Sequence, residues 1–342
     1  MINTFEKYPF WRTTLADVDA ALNSAKKGKV HTLCTTPGGH EVRYIVYGNK
    51  PDYRRRANYS SACGARNTVF YADRAGKAPT VLLIGATHGQ ETEGVAGLLN
   101  LISLLETGRD LRGLEVPSIT QAFDTSPMRL IIIPVYNADG RGRCVPDSMI
   151  DELPGSLRYH GQGTWKDGSL CGWPECKAVH PIKDAAGFLG AYYNDNGINL
   201  MHDNFFAPMA EETRALLTLC DSEAPECAIG LHGGSNSTNV LLQPDYVTLA
   251  AKEGVHRLAA AVAKKQTSLG LKSHIIPVNE HIGNPPPSFN LTSAIHHVCG
   301  AVSSTYESNE GLIDKNAFTA EEILLHHYCL FEALFECAWR KE

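Results

Sequence analysis

Apolar residues follow two different patterns along this chain. Four segments are apolar without alternation between apolar and polar positions: TVLLIGATH (80–88), MRLIIIPVYN (128–137), ECAIGLH (226–232) and GAVSSTYE (300–307). Such runs are typical of strands that are buried on both faces of a sheet. A fifth segment, EVRYIVYG (41–48), follows a Pro-Gly-Gly turn, and we interpret it as a further strand.

The segments between these strands repeat their apolar residues with a helical period. Helices are predicted over residues 15–25, 209–220 and 246–269, and between the first buried strand and Gly108. A capping box of Thr319 and Glu322 opens a last helix. Alternating strands and helices predict an α/β fold with a largely parallel sheet, covered by helices on both faces, that binds ligands beyond the carboxyl ends of its strands.

One long segment, residues 140–197, has little periodicity and is rich in Gly, Pro and Asp. It is too long for an ordinary connection inside a compact domain. Because such insertions usually have a function, we expect this one to fold over the active site and to shape access for the substrate.

Composition and charge narrow the classes of partner. The chain has 342 residues, 43% of them hydrophobic, and a formal net charge of −6, so it offers no general attraction to nucleic acid. No apolar run reaches 18 residues and the N-terminus lacks an apolar signal core, so we expect a cytoplasmic protein without a membrane partner. Its ten cysteines are scattered, as expected of free thiols, although Cys171 and Cys176 are close enough to pair or to bind a metal.

Three ionisable residues lie at the ends of predicted strands, namely His88, His232 and Glu307. His88 and Glu91 form the only H-x-x-E among fourteen histidines, at the point where a strand turns into a helix. A catalytic zinc ion commonly takes three nitrogen or oxygen ligands from the protein and leaves a position for water. His232, at the end of another strand, is the natural third ligand, so we predict one zinc ion per chain held by His88, Glu91 and His232.

Glu307 ends the last buried strand. A carboxylate is costly to bury in apolar surroundings unless it is paired, solvated or placed for chemistry. In a zinc hydrolase, a carboxylate near the metal accepts the proton of the attacking water. We therefore predict that Glu307 is the general base, with a structural ion pair as the alternative.

Five segments in order resemble the zinc carboxypeptidases of the carboxypeptidase A type. They are GATHGQETEG for the paired ligands, PVYNADG for the family's Asn-Pro-Asp-Gly segment, GINLMHDNFF for its Gly-Val-Asp-Leu-Asn-Arg-Asn-Phe segment, GLHGG for the third ligand and STYESNEG for the catalytic glutamate. The resemblance implies that residues 1–342 form one catalytic domain with a central mixed, mostly parallel sheet of about eight strands flanked by helices. It also implies one zinc ion and hydrolysis of an amide bond by promoted water.

Two departures from this family concern substrate binding. Where the family grips a terminal carboxylate with Asn-Arg, this chain has His202, Asp203 and Asn204, which we predict to contact the substrate in another way. The family's mobile tyrosine has no counterpart, since no tyrosine lies between Tyr246 and Tyr306, and residues 284–289 are predicted to form a stiffer wall instead.

The family also has an arginine that polarises the scissile carbonyl, after its Asn-Pro-Asp-Gly segment. Arg141, Arg143 and Arg158 are the candidates here. We favour Arg143 because it follows the NADG turn closely, with a solvated loop arginine as the alternative.

The function predicted from these residues is that of a zinc metallopeptidase acting on small or modified peptides. An alternative is an N-acyl amino acid deacylase that resembles succinylglutamate desuccinylase and aspartoacylase. Those deacylases need arginines for two carboxylates, and few lie near residues 199–204. A non-catalytic binding module is a third alternative, although the three predicted zinc ligands and Glu307 are all present. The sequence does not determine whether the substrate is a small peptide or an acylated amino acid, and it does not determine the oligomeric state.

Overall fold

The computed structural model of the chain describes residues 4–236, 239–279 and 286–341. The strands are β1 (Lys29–Thr35), β2 (Glu41–Tyr47), β3 (Thr80–Gly85), β4 (Arg129–Ile133), β5 (Gly163–Trp165), β6 (Ala186–Leu189), β7 (Cys227–Gly233), β8 (Val240–Leu242) and β9 (Val302–Ser308). The helices are α1 (Thr4–Lys7), α2 (Leu15–Ser24), α3 (Tyr59–Gly64), α4 (Glu93–Thr107), α5 (Pro117–Thr125), α6 (Ala138–Arg143), α7 (Pro154–Gly161), α8 (Glu211–Glu223), α9 (Leu249–Ser268), α10 (Leu291–Cys299) and α11 (Ala320–Phe335). Three short 3-10 helices cover Thr68–Phe70, Glu175–Lys177 and Leu200–His202.

Within the described residues, seven strands form one mixed sheet in the order β1-β2-β4-β3-β7-β9-β8. The four central strands, β4, β3, β7 and β9, are parallel, whereas β1, β2 and β8 pair in antiparallel fashion at the two edges. Strands β5 and β6 form a separate two-stranded sheet. This confirms the predicted α/β fold, with seven strands in the central sheet where about eight were expected.

The core lies between the sheet and its helices. Every residue of β3 is buried, as its continuous apolar run predicts. Helix α4 is buried along almost its whole length because it contacts both β7 and α11. Its end at Gly108, in the left-handed conformation, and the capping box of Thr319 and Glu322 at α11 both agree with the sequence prediction.

The segment over residues 140–197 is more regular than its composition indicates. It contains the end of α6, the helix α7, the hairpin β5–β6 and the 3-10 helix Glu175–Lys177. A small cluster of buried residues, including Cys171, Cys176 and Tyr193, gives the segment a core of its own.

In the part of the chain that the structure describes, no helix is both long and apolar enough to span a bilayer.

Candidate metal centre and active site

The site lies at the carboxyl ends of three parallel strands. His88 lies three residues after the end of β3, His232 lies near the end of β7, and Glu307 lies near the end of β9. His232 and Glu307 are paired neighbours in the β7–β9 register. Because parallel strands end at one edge of a sheet, residues far apart in sequence meet there.

A tight turn after β3 directs His88 toward this edge. Ala86 has a φ of 45°, a left-handed conformation that costs a non-glycine residue about 1–2 kcal/mol. Backbone bonds hold the turn in place: Asn137 N donates to Ala86 O over 2.9 Å, and Gly89 N donates to Ala191 O over 2.8 Å. The turn is therefore fixed both by the β4–α6 connection and by the 140–197 segment.

Glycine is required at position 89. A Cβ there would lie 2.2 Å from both the backbone nitrogen of Arg141 and the backbone carbonyl carbon of Gly140. The Arg141 side chain also donates to Gly89 O over 3.1 Å. The loop between the two predicted ligands thus packs directly on the first turn of α6.

His88, Glu91 and His232 form one compact buried cluster. The Nδ1 of His88 lies 2.8 Å from Oε1 of Glu91, and the Nδ1 of His232 lies 2.9 Å from Oε2 of the same carboxylate. One ligand atom from each residue can be chosen so that all three lie within 4.8 Å of one another. Burial alone would raise the pKa of Glu91, but the two imidazoles outweigh it and lower that pKa to about 2.

This cluster fits a zinc ion. It offers two imidazole nitrogens and a carboxylate, which is a common ligand set of catalytic zinc. Nε2 of His88 is buried and has no hydrogen-bond partner within the described residues. A cation between the three side chains would satisfy the buried carboxylate without a separate counter-ion.

Tyr192 fixes the ring of His88. The two rings stack with their centroids 3.6 Å apart and an angle of 5° between their planes. Tyr192 belongs to the 140–197 segment and is itself buried. Sequence reasoning missed this residue because its segment has no periodic pattern that would show which side chains face the sheet.

Glu307 lies in the wall of the same crevice. Burial raises the pKa of Glu307 to about 7, and the nearby charge of Glu91 contributes a smaller increase. His232 and Lys177 have the opposite effect and lower this pKa. A carboxyl group with a pKa near neutrality is suited to accept and return a proton.

Two further buried glutamates lie near the cluster, and sequence reasoning did not identify them. Glu93 and Glu310 are almost completely buried, and one oxygen of Glu93 and both oxygens of Glu310 have no hydrogen-bond partner among the described residues. Burial raises the pKa of Glu93 to about 8 and the pKa of Glu310 well above its usual range. With a pKa of about 8, Glu93 is mostly protonated at neutral pH in the metal-free protein. Both residues lie within segments that carry the resemblance to zinc carboxypeptidases, GATHGQETEG and STYESNEG. That position was the signal in the sequence that could have identified them.

A cavity of about 750 Å³ opens above the cluster. That volume is sufficient for a small peptide or an acylated amino acid. Its lining includes the metal-site residues, Glu307 and Tyr192. It also includes a set of polar residues, namely Gln243, Asp245, Lys252, Asn279, Asn290 and Thr292.

Of the three predicted substrate-binding residues, the structure brings only His202 to the cavity. Burial and the nearby charge of Lys177 lower the pKa of His202 to about 3, so the imidazole is neutral. Asp203 instead caps the local backbone, accepting hydrogen bonds from the amides of Asn204, Met209 and Ala210.

Asn204 is exposed and accepts hydrogen bonds from the amides of Phe206 and Ala207. The described lining of the cavity therefore does not include Asp203 and Asn204, and their contact with a substrate stays a prediction. Both side chains are used to satisfy backbone donors of the turn that precedes α8.

Arg143 does not reach the cavity either. Its guanidinium donates to the carbonyls of Leu189, Gly190 and Tyr193, over 2.9, 3.2 and 2.5 Å, and pairs with Asp195. These contacts attach the end of α6 to residues 189–195, and the role of Arg143 in polarising the substrate carbonyl stays a prediction.

The other candidate arginines do not take that place. The Arg141 side chain is buried and hydrogen-bonds the carbonyls of Gly89, Cys144 and Pro146. Arg158 lies on α7, and no arginine lines the cavity in the part of the chain that the structure describes.

Two smaller expectations concern the cavity rim and the cysteines. In the predicted stiff wall at residues 284–289, Asn284 and Pro285 lie outside the described residues, whereas Pro287 and Ser288 line the cavity.

Cys171 and Cys176 are both buried, and both are free thiols.

Comparison with known proteins identifies solved structures that share this fold. No protein-family model matches the sequence, and a search of the curated proteins found no match. Among solved structures, a metallo-carboxypeptidase from Burkholderia cenocepacia is 15% identical with a TM-score of 0.58, covering 94% of this chain and 68% of its own. Carboxypeptidase A from Helicoverpa armigera is 15% identical with a TM-score of 0.54, covering 96% and 74%.

A metallo-carboxypeptidase from Pseudomonas aeruginosa is 12% identical, also with a TM-score of 0.54, and covers 93% of this chain and 66% of its own. At such low identity, these similarities establish a shared fold. The chain therefore has the metallocarboxypeptidase fold, and the His-Glu-His cluster lies within it.

Proposed function

We propose that this chain is a zinc-dependent hydrolase that cleaves an amide bond in small or modified peptides. The observation that supports this most directly is the placement of His88, Glu91 and His232, whose ligand atoms converge to within 4.8 Å beside Glu307 in the wall of a cavity. A binding module would have no need of a carboxyl group with a pKa near 7 next to a metal site.

One zinc ion per chain would be held by Nδ1 or Nε2 of the two histidines and by the carboxylate of Glu91. Zinc in such a site supplies Lewis acidity, which makes a water molecule acidic near neutral pH and stabilises negative charge on the substrate. Tyr192 keeps the imidazole plane of His88 in one orientation by stacking on it.

Glu307 performs the proton transfers. As a carboxylate it accepts a proton from the water that attacks the amide carbon. It then gives that proton to the amide nitrogen, which leaves as an amine when the carbon–nitrogen bond breaks. Its raised pKa brings its proton affinity close to that needed for both steps at neutral pH.

The described cavity wall favours a peptide over the substrates of the alternative deacylases. Those enzymes use arginines to bind two carboxylates, and the described lining contains none. The reaction is the same in both cases, so a screen should include peptides and acylated amino acids.

The test combines metal analysis with turnover on protein purified without a histidine tag. We expect about one zinc per chain in the wild type and in Glu307→Gln, and loss of zinc in His232→Ala. Glu307→Gln should lower kcat by about 10²- to 10⁴-fold, the usual effect of removing a general base. His31→Ala is the matched control, because His31 is exposed on β1 at the far edge of the sheet.

Two results would contradict the proposal. One is a wild-type protein that binds no zinc after reconstitution, and the other is full turnover by Glu307→Gln. A protein that keeps its zinc but hydrolyses none of the screened amides would instead support the non-catalytic binding module.

A further inference from the structure

The hydroxyl of Tyr192 is a hydrogen-bond donor that no other residue of the site uses. Tyr192 lines the cavity, and its hydroxyl makes no hydrogen bond to the described residues. The hydroxyl oxygen is open to the cavity although most of the ring is buried. The adjacent Tyr193 differs, because its hydroxyl donates to Cys176 O over 2.9 Å. Of these two tyrosines, Tyr192 is therefore the one whose O–H group can reach a ligand.

The ring of Tyr192 is held rigidly beside a predicted metal ligand. It stacks on the imidazole of His88, with the ring centroids 3.6 Å apart and 5° between the ring planes. Its backbone N donates to Gly161 O over 2.9 Å, and O of the preceding Ala191 accepts from Gly89 N over 2.8 Å. Tyr192 is thus fixed both to the end of α7 and to the loop between the predicted metal ligands, so the direction of its O–H group is set in advance.

The hydroxyl lies near two carboxylates that act in the proposed reaction. Burial raises the pKa of Tyr192 well above its usual range, and the charges of Glu91 and Glu307 raise it further. All three side chains line the same cavity. The phenol therefore stands as a protonated donor next to a predicted metal ligand and next to the proposed general base.

The reacting carbonyl group needs a rigid donor in this part of the cavity. When water attacks an amide carbon, the carbonyl oxygen gains negative charge, and the nearby Glu91, Glu307 and Glu310 would repel it. Preorganised donors aimed at that oxygen are usually a large part of catalysis. No arginine lines the cavity in the described parts of the chain, and the ammonium of Lys177 is carried on a flexible stem.

We propose that the hydroxyl of Tyr192 donates a hydrogen bond to the carbonyl oxygen of the scissile amide as that oxygen gains negative charge. The inference rests on the proposed function and adds a catalytic residue to it. The phenol keeps its own proton throughout, while Glu307 takes the proton of the attacking water and passes it to the leaving amine. Tyr192 thus has two separate tasks, because its ring orients His88 and its hydroxyl stabilises the transition state.

The two tasks are separated by Tyr192→Phe and Tyr192→Leu. Tyr192→Phe keeps the stacked ring and removes the hydroxyl, so its zinc affinity, measured by competition with a chelator, should equal that of the wild type. Its kcat should fall by about 10²- to 10³-fold, the usual effect of removing one oxyanion donor, with KM changed by less than about twofold. Tyr192→Leu also removes the ring and should weaken zinc binding by about 10- to 100-fold.

The matched control is Tyr159→Phe. Tyr159 is an exposed tyrosine on α7, in the same 140–197 segment, and it does not line the cavity. This variant should keep the kcat, the KM and the zinc affinity of the wild type.

A binding measurement gives a result that does not depend on turnover. A phosphinic peptide has a tetrahedral centre with an anionic oxygen in place of the scissile amide, so it resembles the transition state. In zinc-loaded protein, calorimetry should show that Tyr192→Phe weakens binding of this peptide by about 10²- to 10³-fold. Binding of the amide substrate of the same sequence, measured in Glu307→Gln protein, should change by less than about twofold.

Wild-type kcat in Tyr192→Phe, or equal weakening of the phosphinic peptide and the amide substrate, would overturn the inference. Loss of zinc from Tyr192→Phe would also overturn it, because the residue would then act only through the structure of the metal site. Failure of the proposed function would look different: the wild type itself would bind no zinc or hydrolyse no amide, and this inference would fall with it.

Discussion

Gly89→Ala is a sharp test of how the metal site is held. The new Cβ would lie 2.2 Å from the Arg141 nitrogen and from the Gly140 carbonyl carbon. Both are backbone atoms of α6, so no side chain can rotate away to make room. Atoms of this kind are in favourable contact at about 3.5 Å, and the loop must therefore move by roughly 1 Å.

That movement would displace the metal ligands. His88 is adjacent to Gly89 and Glu91 is two residues away, and the displaced backbone would lose its bond to Ala191 O. A displacement of about 1 Å at a reacting centre can cost about 10²-fold in rate. We expect a fall of about 100-fold in kcat/KM, weaker zinc binding, and a loss of roughly 1–3 kcal/mol in the free energy of unfolding from overpacking.

Zinc affinity is measured by competition with a chelator, and the free energy of unfolding by urea titration of the metal-free protein. The matched control is Gly64→Ala at the end of α3, where a Cβ would meet nothing within 4 Å. That variant should keep full activity, and Ala in place of Gly should leave stability unchanged or raise it by about 0.5–1 kcal/mol. Wild-type zinc affinity and activity in Gly89→Ala would refute the reasoning.

Two further predictions follow from pKa values. Glu307 works as a base only when deprotonated, so kcat/KM should fall as the pH drops. Its pKa is about 7 without metal, and a bound dication lowers that pKa further, so the fall in kcat/KM should occur below about pH 7. A flat profile of kcat/KM between pH 5 and 7 would contradict this. Burial raises the pKa of Glu93 from 4.5 to about 8, so the folded metal-free protein keeps a proton that the unfolded chain releases, and its stability contribution is lost as the pH rises through this window. Urea titrations should therefore show Glu93→Gln gaining stability over the wild type from pH 5 to pH 8, whereas a constant difference would argue against a neutral Glu93.

The sheet and the metal cluster could be predicted because their signals are local. Strand β3 is apolar without alternation because all of its residues are buried, and the pattern is visible without any knowledge of the fold. His88 and Glu91 are near in sequence, and His232 ends a strand of the same kind. Parallel strands end at one edge, so this placement alone was enough to bring the three side chains together.

The residues contributed by the 140–197 segment could not be predicted in the same way. Tyr192 and Lys177 reach the cavity because Cys176 and Tyr193 bury themselves in a small core that is specific to this segment. That core is built from contacts between residues that have no period in the sequence, so the direction of each side chain depends on the folded segment as a whole.

Arg143 and Asp203 show why position in a motif does not determine the direction of a side chain. The amides of Asn204, Met209 and Ala210 lie in a turn without regular partners, and buried backbone donors must be satisfied. The carboxylate of Asp203 lies within reach of these amides and accepts their hydrogen bonds. Arg143 similarly satisfies carbonyls at the end of β6 and beyond it, at Leu189, Gly190 and Tyr193.

Backbone satisfaction therefore removes both charges from the cavity, and this has a consequence for the substrate. The metal-site end of the cavity contains Glu91, Glu307 and Glu310, with Lys177 as the free ammonium among the described lining residues. A negative charge in such surroundings is favoured only next to that ammonium or to a bound cation. Which charged side chains face the cavity thus depends on which ones the backbone leaves unused, and the sequence motif alone does not show this.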